Sequence, residues 1–553
     1  YLPGDILAGV IVMIMLVPQS MAYALLAGLP PYMGLYASML PLLLYGLCGS
    51  SMTLAIGPVA IVSLMVASAL SGIAEPGTEL YVTGAITLAM LSGVILVLLG
   101  IARFDYFVNY LSRPVLSGFI SAATILIAVK QLQYLLGLPV PPDKNVFGIL
   151  LYVYEHIRDI NLPTAAIGII SIIILLLTRK PLELVLIRCK FSDAVVSTVT
   201  KTGALVAVIA GILLVWTLEL DKTAGVDIVA DIPSGLPPVS FPLPELSLVQ
   251  ELIPAAILIS LVGYLEGISV ARLLASKRRQ KIKPNNELIA LGAANMGAAL
   301  TGGFPVAGGI SRSSVNFTAG ANTPLASIIT AVLIAIFVAF FAQLLYYLPR
   351  AVLSAIVIMA VLRLFDLKPV IRTWHFNNAD SISLLTTFIC VLVIGVEIGI
   401  LIGAVVAITF YLWRTSRPHI AIVGRVGNTE HFRNVERYEV KTCPEVIAIR
   451  IDGSLYFANA QALEERILEE VTEKSEVKSI LLICSAINFI DASALETLES
   501  ILTELRAAGV DLYLCEVKEP VLDQFKHTDF LDQLGTDKIY ISTHEAMTAL
   551  KCV

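Results

Sequence analysis

The sequence predicts a polytopic α-helical membrane protein with a small α/β domain at its C-terminal end. Three observations predict it. The chain is 57% hydrophobic and 14% charged over 553 residues, a balance that suits lipid better than a water-exposed surface. Apolar segments long enough to cross a bilayer recur from about residue 5 to about residue 414. Charge changes sign near residue 417: residues 1–417 hold 24 Lys and Arg against 20 Asp and Glu, and residues 418–553 hold 13 against 23, so +4 and −10 give the net −6.

Fourteen apolar segments are read, at about 5–27, 33–50, 55–71, 80–101, 114–131, 163–179, 201–219, 250–274, 286–302, 310–322, 325–346, 351–365, 380–396 and 398–414. The third and tenth are too short or too broken to span as continuous helix. Basic residues follow even-numbered segments: Arg103 and Arg113; Arg179, Lys180, Arg188 and Lys190; Lys277, Arg278, Arg279, Lys281 and Lys283; Lys368 and Arg372. Those loops are predicted to be cytoplasmic. Loops after odd segments are acidic or neutral, with Glu75, Glu79, Asp221, Asp227, Asp231 and Glu245. An even count then places the N-terminus and the tail domain in the cytoplasm of a multi-pass protein of the plasma or inner membrane. No cleavable signal is read, because the first apolar segment itself carries motif residues.

A proline-rich stretch between Asp221 and Ser247 separates seven segments from seven. An odd number per half inverts the second copy, so the halves, about 1–220 and 248–417, are predicted to be an inverted repeat. The transmembrane domain is bounded at 1–417 and the tail domain at 418–553. In the tail, Glu445–Asp452, Val477–Cys484 and Val510–Val517 read as buried strands, and Ala460–Glu473 and Ala492–Ala508 as helices. Strands alternating with helices predict a sheet covered by helices.

The most unusual stretch is Thr301–Val315, TGGFPVAGGISRSSV. Helix cannot run smoothly through its glycines and Pro305. Broken backbone at membrane depth persists only where protein buries it or where it lines a wet cavity. Arg312 there costs roughly 2.5–3.5 kcal/mol on insertion scales, which an anion partner offsets. In the first half, Gly57-Pro58-Val59-Ala60 heads another short apolar run. Proline suits the first turn of a helix. Paired half-helices, one beginning near Pro58 and one near Ser311, predict a transporter site between their N-termini. Ser311, Ser313 and Ser314 offer hydroxyl donors. Gly-mediated packing kinks are the competing account, and they leave Arg312 unexplained.

Glu266 stands inside the eighth segment, and an intramembrane carboxylate is a functional candidate. It is read as a proton carrier, or as a charge that neutralises Arg312 at rest. Gln19 and Tyr23 are four apart, hence on one helix face; they line the site or hold helices together. Lys130, near a predicted segment end, is read as snorkelling. Asp5, Asp366 and Glu397 are read as solvated or interfacial. In the tail, Asp491 or Ser493 serves a helix N-terminus, and Ser493 is a weak candidate phosphorylation site. The seven cysteines and six histidines show no ligand spacing, so no zinc site, no other metal, no cofactor and no disulfide framework is expected.

Several of these stretches resemble the SulP family of sulfate permeases and anion exchangers, which includes pendrin and prestin. The resemblance rests on Pro18-Gln-Ser-Met-Ala-Tyr-Ala-Leu-Leu-Ala-Gly-Leu-Pro-Pro31 with Gly34-Leu-Tyr36, on Ile56-Gly-Pro-Val-Ala60, and on Gly308-Gly-Ile-Ser-Arg-Ser313. The tail resembles a STAS domain, and its Asp-Ala-Ser-Ala at 491–494 departs from the antagonist-type Asp-Ser-Ser-Gly. The resemblance implies a seven-plus-seven fold of core and gate domains, a homodimer in membrane lipid, and an anion held between the third and tenth helix ends. On this likeness Gln19 and Tyr23 line the site, Gly57 to Ala60 and Ser311 to Ser313 supply its two helix ends, and Glu266 matches the proton-coupling acid of sulfate symporters.

The expected function is secondary transport of an inorganic anion, sulfate first, by proton symport and elevator-type alternating access. Bicarbonate or chloride exchange, sodium-coupled or channel-like, is the alternative on the same scaffold. A membrane-tethered STAS signalling protein is a third. No nucleophile–base or metal constellation supports an enzyme, and no basic tract suggests nucleic acid.

Overall fold

A computed structural model describes the chain except for residues 105–111, 142–144, 179, 190–199, 201, 234, 242–243, 367 and 553. Arg179, Lys190 and the start of the seventh segment lie outside the described residues. The chain divides into two compact units, Tyr1–Ala407 and Ile408–Val553.

The first unit is helical, and every one of the fourteen apolar segments contains helix. In order these are α1 (Leu2–Leu26), α2 (Tyr32–Tyr36), α3 (Leu40–Cys48), α4 (Ala60–Leu70), α5 (Glu79–Ile101), α6 (Arg113–Leu136), α7 (Val146–Glu155), α8 (Leu162–Leu177), α9 (Lys180–Arg188), α10 (Gly203–Leu218), α11 (Leu220–Thr223), α12 (Leu246–Lys277), α13 (Pro284–Leu300), α14 (Ile310–Thr318), α15 (Leu325–Phe341), α16 (Arg350–Val361), α17 (Lys368–Phe376), α18 (Asn378–Val393) and α19 (Val396–Ser416). Six helices among the described residues are long and apolar enough to cross a bilayer. The sequence did not announce α7, α9 and α17, which are short, the last two with polar faces.

Two packing groups emerge. One gathers α1, α3, α4, α5, α12, α13, α14 and α15; the other gathers α6, α8, α10, α16 and α18. They meet mainly along α1 and α4. The motif glycine Gly34 has a local reason: a Cβ there would lie 2.0 Å from the Ser20 carbonyl oxygen, so only glycine lets α2 fold back onto α1.

The two broken segments meet at the centre of the unit. Strand β1 (Ile56–Gly57) pairs antiparallel with β2 (Ala307–Gly308), in register Ile56↔Gly308 and Gly57↔Ala307. Each two-residue strand leads into a half-helix, α4 of 11 residues and α14 of 9. The broken backbone is satisfied by protein, as lipid requires. Asn295 donates to the Val306 carbonyl and accepts from the Val306 amide at 3.0 and 2.9 Å, taking the place of a neighbouring strand. Asn316 donates to the Thr53 carbonyl at 3.0 Å, and the Ser313 hydroxyl accepts from the Ala55 amide at 3.0 Å.

Two expectations are corrected. Asp5 is buried rather than interfacial: its carboxylate accepts from the Asn322 and Thr323 amides at 2.6 and 3.1 Å and from the Thr323 hydroxyl at 2.7 Å. The turn after the short α14 has no helix to satisfy its N–H groups, and Asp5 supplies the acceptors. Lys130 is not at a helix end, because α6 runs on to Leu136. Asp366 is exposed and caps the Lys368 amide, while Glu397 is half-buried. Buried Glu287, unforeseen, accepts from Tyr45, the Ser50 amide and hydroxyl, and the Ser51 amide, fastening α13 to the stretch before β1.

The second unit holds a six-stranded sheet, order β4-β3-β5-β6-β7-β8, from β3 (Ile420–Arg425), β4 (Phe432–Asn434), β5 (Val446–Ile451), β6 (Ser479–Ile483), β7 (Asp511–Cys515) and β8 (Ile539–Tyr540). Strands β5 to β8 are parallel, and β3 joins them antiparallel. Helices α20 (Ala460–Glu473) and α21 (Ala492–Ala507) cover one face and α24 (Thr543–Ala549) the other; between α21 and α24 come α22 (Glu519–Phe525) and α23 (Phe530–Leu534). Ile480 and Leu482 face the first layer and Leu481 and Ile483 the second. Burial on both faces explains the unbroken apolar runs of β5 and β6. Contrary to the cysteine reading, Cys443 and Cys552 form a disulfide across 109 residues of sequence. Spacing cannot reveal a pair so far apart.

Candidate functional site

A cavity of about 450 Å³ opens where the two half-helices begin. One wall carries Gln19 and Tyr23 from α1, Val59 to Ile61 at the head of α4, Glu266 from α12, and Gly309 to Arg312 with Ser314 from α14. The facing wall carries Thr178, Gly203, Ile356, Met359 and Arg363. The two walls belong to the two packing groups.

Arg312 is the largest fully buried side chain, 1% exposed. Its Nη1 donates to the Pro58 carbonyl at 2.5 Å, while Nε and Nη2 have no partner among the described residues. Gly57 has a positive φ of 154°, and at Gly309 the missing side chain leaves room for the guanidinium: a Cβ there would stand 3.0 Å from Nη2. The half-helices add their own fields. Val59 and Gly309 are the N-cap residues, and neither provides a side-chain cap. Both first turns therefore keep free N–H groups beside the cavity, each end equivalent to about +0.5 charge.

Glu266 lines the same cavity, makes no ion pair with Arg312 among the described contacts, and leaves Oε2 without a partner. Gln19 donates through Nε2 to the Tyr23 hydroxyl at 2.9 Å and leaves Oε1 unpartnered. An arginine with two idle nitrogens, a carboxylate and an amide oxygen thus share one enclosed space. Buried polar groups without partners are costly, so the arrangement awaits a solute that bonds to them.

The sequence candidates fall into two sets. Gln19, Tyr23, Val59, Ala60, Ser311, Arg312 and Glu266 line the cavity. Gly57, Pro58 and Ser313 stand behind it: Gly57 in the β pairing, Pro58 holding Arg312 through its carbonyl, and Ser313 bonded to the Ala55 amide. Sequence reading missed Arg363, an exposed cation at the rim. In the tail, Asp491 caps α21 by accepting from the Ala494 amide at 2.9 Å, and Ser493 is exposed in the first turn. No group of three or more His, Cys, Asp or Glu positioned to hold a metal is present among the described residues.

Fold and cavity together define a polytopic membrane transport protein with a STAS-type tail. Residues 2–387 match the sulfate permease family and residues 437–546 the STAS domain. The chain belongs to the sulfate permease family, a family of transporters and not of enzymes. It is 33% identical to "Sulfate transporter 4.1, chloroplastic" of Arabidopsis thaliana over 559 residues, covering 99% of this chain and 80% of that one. It is 33% identical over 556 residues to a probable sulfate transporter of Mycobacterium tuberculosis, covering 100% of this chain and 96% of that one. Among solved structures it resembles the murine Solute Carrier 26 family member A9 anion transporter in the inward-facing state, with TM-score 0.90 and 22% identity over 100% of this chain and 92% of that one. It also resembles the transmembrane domain of the cyanobacterial bicarbonate transporter BicA, with TM-score 0.59 and 20% identity over 74% and 97% of the two chains. At these identities the structural likeness is one of fold.

Proposed function

We propose that the protein carries an inorganic anion, sulfate first, together with a proton, by alternating access. The observation that carries this reading is the pair of Arg312 nitrogens without a partner among the described residues, in the same cavity as Glu266. Arg312 and two half-helix ends sum to about +2, a match for a dianion. With Glu266 ionised the sum falls to about +1, so a dianion is disfavoured. Proton and sulfate then bind cooperatively, and each raises the affinity for the other by the same factor. Gln19, Tyr23 and Ser311 complete the solvation of the oxyanion, while Gly57, Pro58 and Ser313 hold the frame. The names of the curated relatives, sulfate transporters, favour sulfate.

The moving body in this reading is the group holding α1, α4, α12 and α14, sliding elevator-fashion against the group holding α6, α8, α10 and α16. The antiparallel pairing of β1 with β2 is what a seven-plus-seven inverted repeat of about 1–220 and 248–417 requires. Domains at 1–417 and 418–553, a cytoplasmic N-terminus and STAS domain, and a homodimer in lipid complete it. The cavity rim at Thr178 and Arg363 adjoins the basic loops, hence the cytoplasm. Ser493 remains a candidate modification site in the tail.

The test is sulfate uptake into proteoliposomes with and without a pH gradient. Uptake driven by an inward proton gradient is expected; gradient-independent, sodium-driven uptake would sink the symport. Exchange or channel-like conduction of bicarbonate or chloride is the second reading, favoured by the bicarbonate transporter among the structural neighbours. Counterflow of labelled sulfate against each anion separates the two.

A further inference from the structure

A second cavity, about 980 Å³, lies at the other end of α4. The head of α4, Val59 to Ile61, lines the first cavity, and its far half, Leu64, Ala67 and Ser68, lines the second. On α4 the two sets of lining residues come within three residues of each other, at Ile61 and Leu64, about 4.5 Å at a rise of about 1.5 Å per residue. The second cavity, like the first, lies between the two packing groups: α1, α4 and the 71–76 turn on one side, α6, α7 and the 391–396 turn on the other.

Among the described residues its wall holds one cation, Lys130 of α6. Lys130 is half-buried in the last two turns of the helix, and among the described residues its ammonium has neither hydrogen-bond nor ion-pair partner. The adjacent Gln131 also lines the cavity, and its amide oxygen accepts from the Ser354 hydroxyl at 2.9 Å. The other charged lining residue, Glu75, is exposed at the 71–76 turn and forms no ion pair with Lys130. A lysine with no anionic partner among the described residues, facing a cavity from inside a packed helix, is a candidate to hold an anion.

We infer that the second cavity is an anion-capture vestibule in which Lys130 holds a small oxyanion transiently, on the face of the membrane opposite the basic loops, before it reaches Arg312. The inference rests on the anion-transport reading but not on sulfate being the anion. One positive charge in a wide cavity attracts without trapping, which a staging site requires, since an anion bound too firmly here would not move on.

The experiment measures uptake kinetics in proteoliposomes for whichever of sulfate, bicarbonate or chloride the wild type carries. Lys130→Met is expected to raise KM for sulfate about tenfold at unchanged kcat, the attraction between an ammonium and a dianion about 6 Å apart in water, and proportionately less for a monoanion. Lys130→Arg should retain the wild-type KM. Lys130→Cys should behave as Lys130→Met until an impermeant cationic methanethiosulfonate, applied from the vestibule side, restores a low KM; an anionic reagent should raise it further. An unchanged KM in Lys130→Met, or equal effects of the two reagents, overturns the inference. Absence of sulfate uptake by the wild type, with bicarbonate or chloride carried instead, counts against the sulfate reading and leaves this test in force.

Discussion

Substituting Glu266 by glutamine fixes the cavity in its protonated charge state. A cavity of about 450 Å³ has the volume of a sphere a little under 10 Å across. An anion at its centre therefore lies about 6 Å from the charges on its wall. At that distance one carboxylate opposes a dianion by about 1.4 kcal/mol in water and by about 5 kcal/mol at an effective dielectric near 20. The lower figure already corresponds to about tenfold in affinity. Sulfate affinity of Glu266→Gln should thus exceed that of the wild type by at least about tenfold at alkaline pH. The wild type should close the gap as pH falls, because protonating Glu266 does what the substitution does. Counterflow of labelled sulfate should survive, since it needs no net proton movement, while accumulation driven by a pH gradient should disappear. The assay is sulfate uptake in proteoliposomes between about pH 5 and pH 8, with and without a gradient, in wild type and variant. Gradient-driven accumulation that persists in Glu266→Gln, or a sulfate affinity that stays pH-dependent in it, would refute the reasoning and move the coupling elsewhere.

Arg312→Lys should lose most sulfate affinity despite keeping the charge, because one ammonium nitrogen cannot reproduce the planar fork in which Nη1 holds the Pro58 carbonyl while the separate Nε and Nη2 stay available for an oxyanion; equilibrium binding checks this. Glu287→Ala strands the donors of Tyr45, Ser50 and Ser51 in a buried place, and should cost about 2–4 kcal/mol, read as a fall in melting temperature, with Glu287→Gln recovering part of it. In the tail, burial pushes the Asp452 carboxyl up, but hydrogen bonds from Arg450 and His419 outweigh it and hold the group below its ordinary value of 3.8. A depressed carboxyl stabilises above its unfolded pKa and loses that contribution as pH falls through the folded one. Asp452→Asn should therefore lower stability by about 0.5–1 kcal/mol at pH 7, and the difference from wild type should fade below about pH 4 in thermal unfolding.

The membrane fold was legible because lipid leaves few solutions. Long apolar runs must be helices, and a run interrupted by Gly302, Gly303, Pro305, Gly308 and Gly309 must be broken where protein can satisfy it. Arg312 was legible because arginine at that depth needs a counter-charge. The same logic failed where a polar group is satisfied by partners far away in sequence. Glu287 serves Ser50 across 237 residues and Asp5 serves Thr323 across 318, and neither spacing leaves a trace in the sequence. Lys130 was misjudged because α6 runs past the apolar stretch, through Gln131, Gln133 and Tyr134. In the tail, β5 and β6 were legible from apolar runs buried on both faces, whereas β3 and β4 alternate too weakly and are too short to be distinguished from loop.

The bond from Arg312 to the Pro58 carbonyl has a consequence for how transport must proceed. It joins the second half-helix to the loop that heads the first, and the pairing of Ile56 with Gly308 and the bonds from Ser313 and Asn316 to residues 53–55 join them again. Neither half-helix can change its angle to the other without breaking buried hydrogen bonds, each costly to leave unmade. The two positive ends therefore keep their spacing, and with it their fit to an anion, whichever side of the membrane the cavity faces. What remains free to change is the facing wall, built from Thr178, Gly203, Ile356 and Arg363, which no such bond among the described residues ties to Arg312. On the alternating-access reading proposed above, the expected movement is displacement of one wall past the other with the half-helix frame carried intact, because these bonds cross-link that frame.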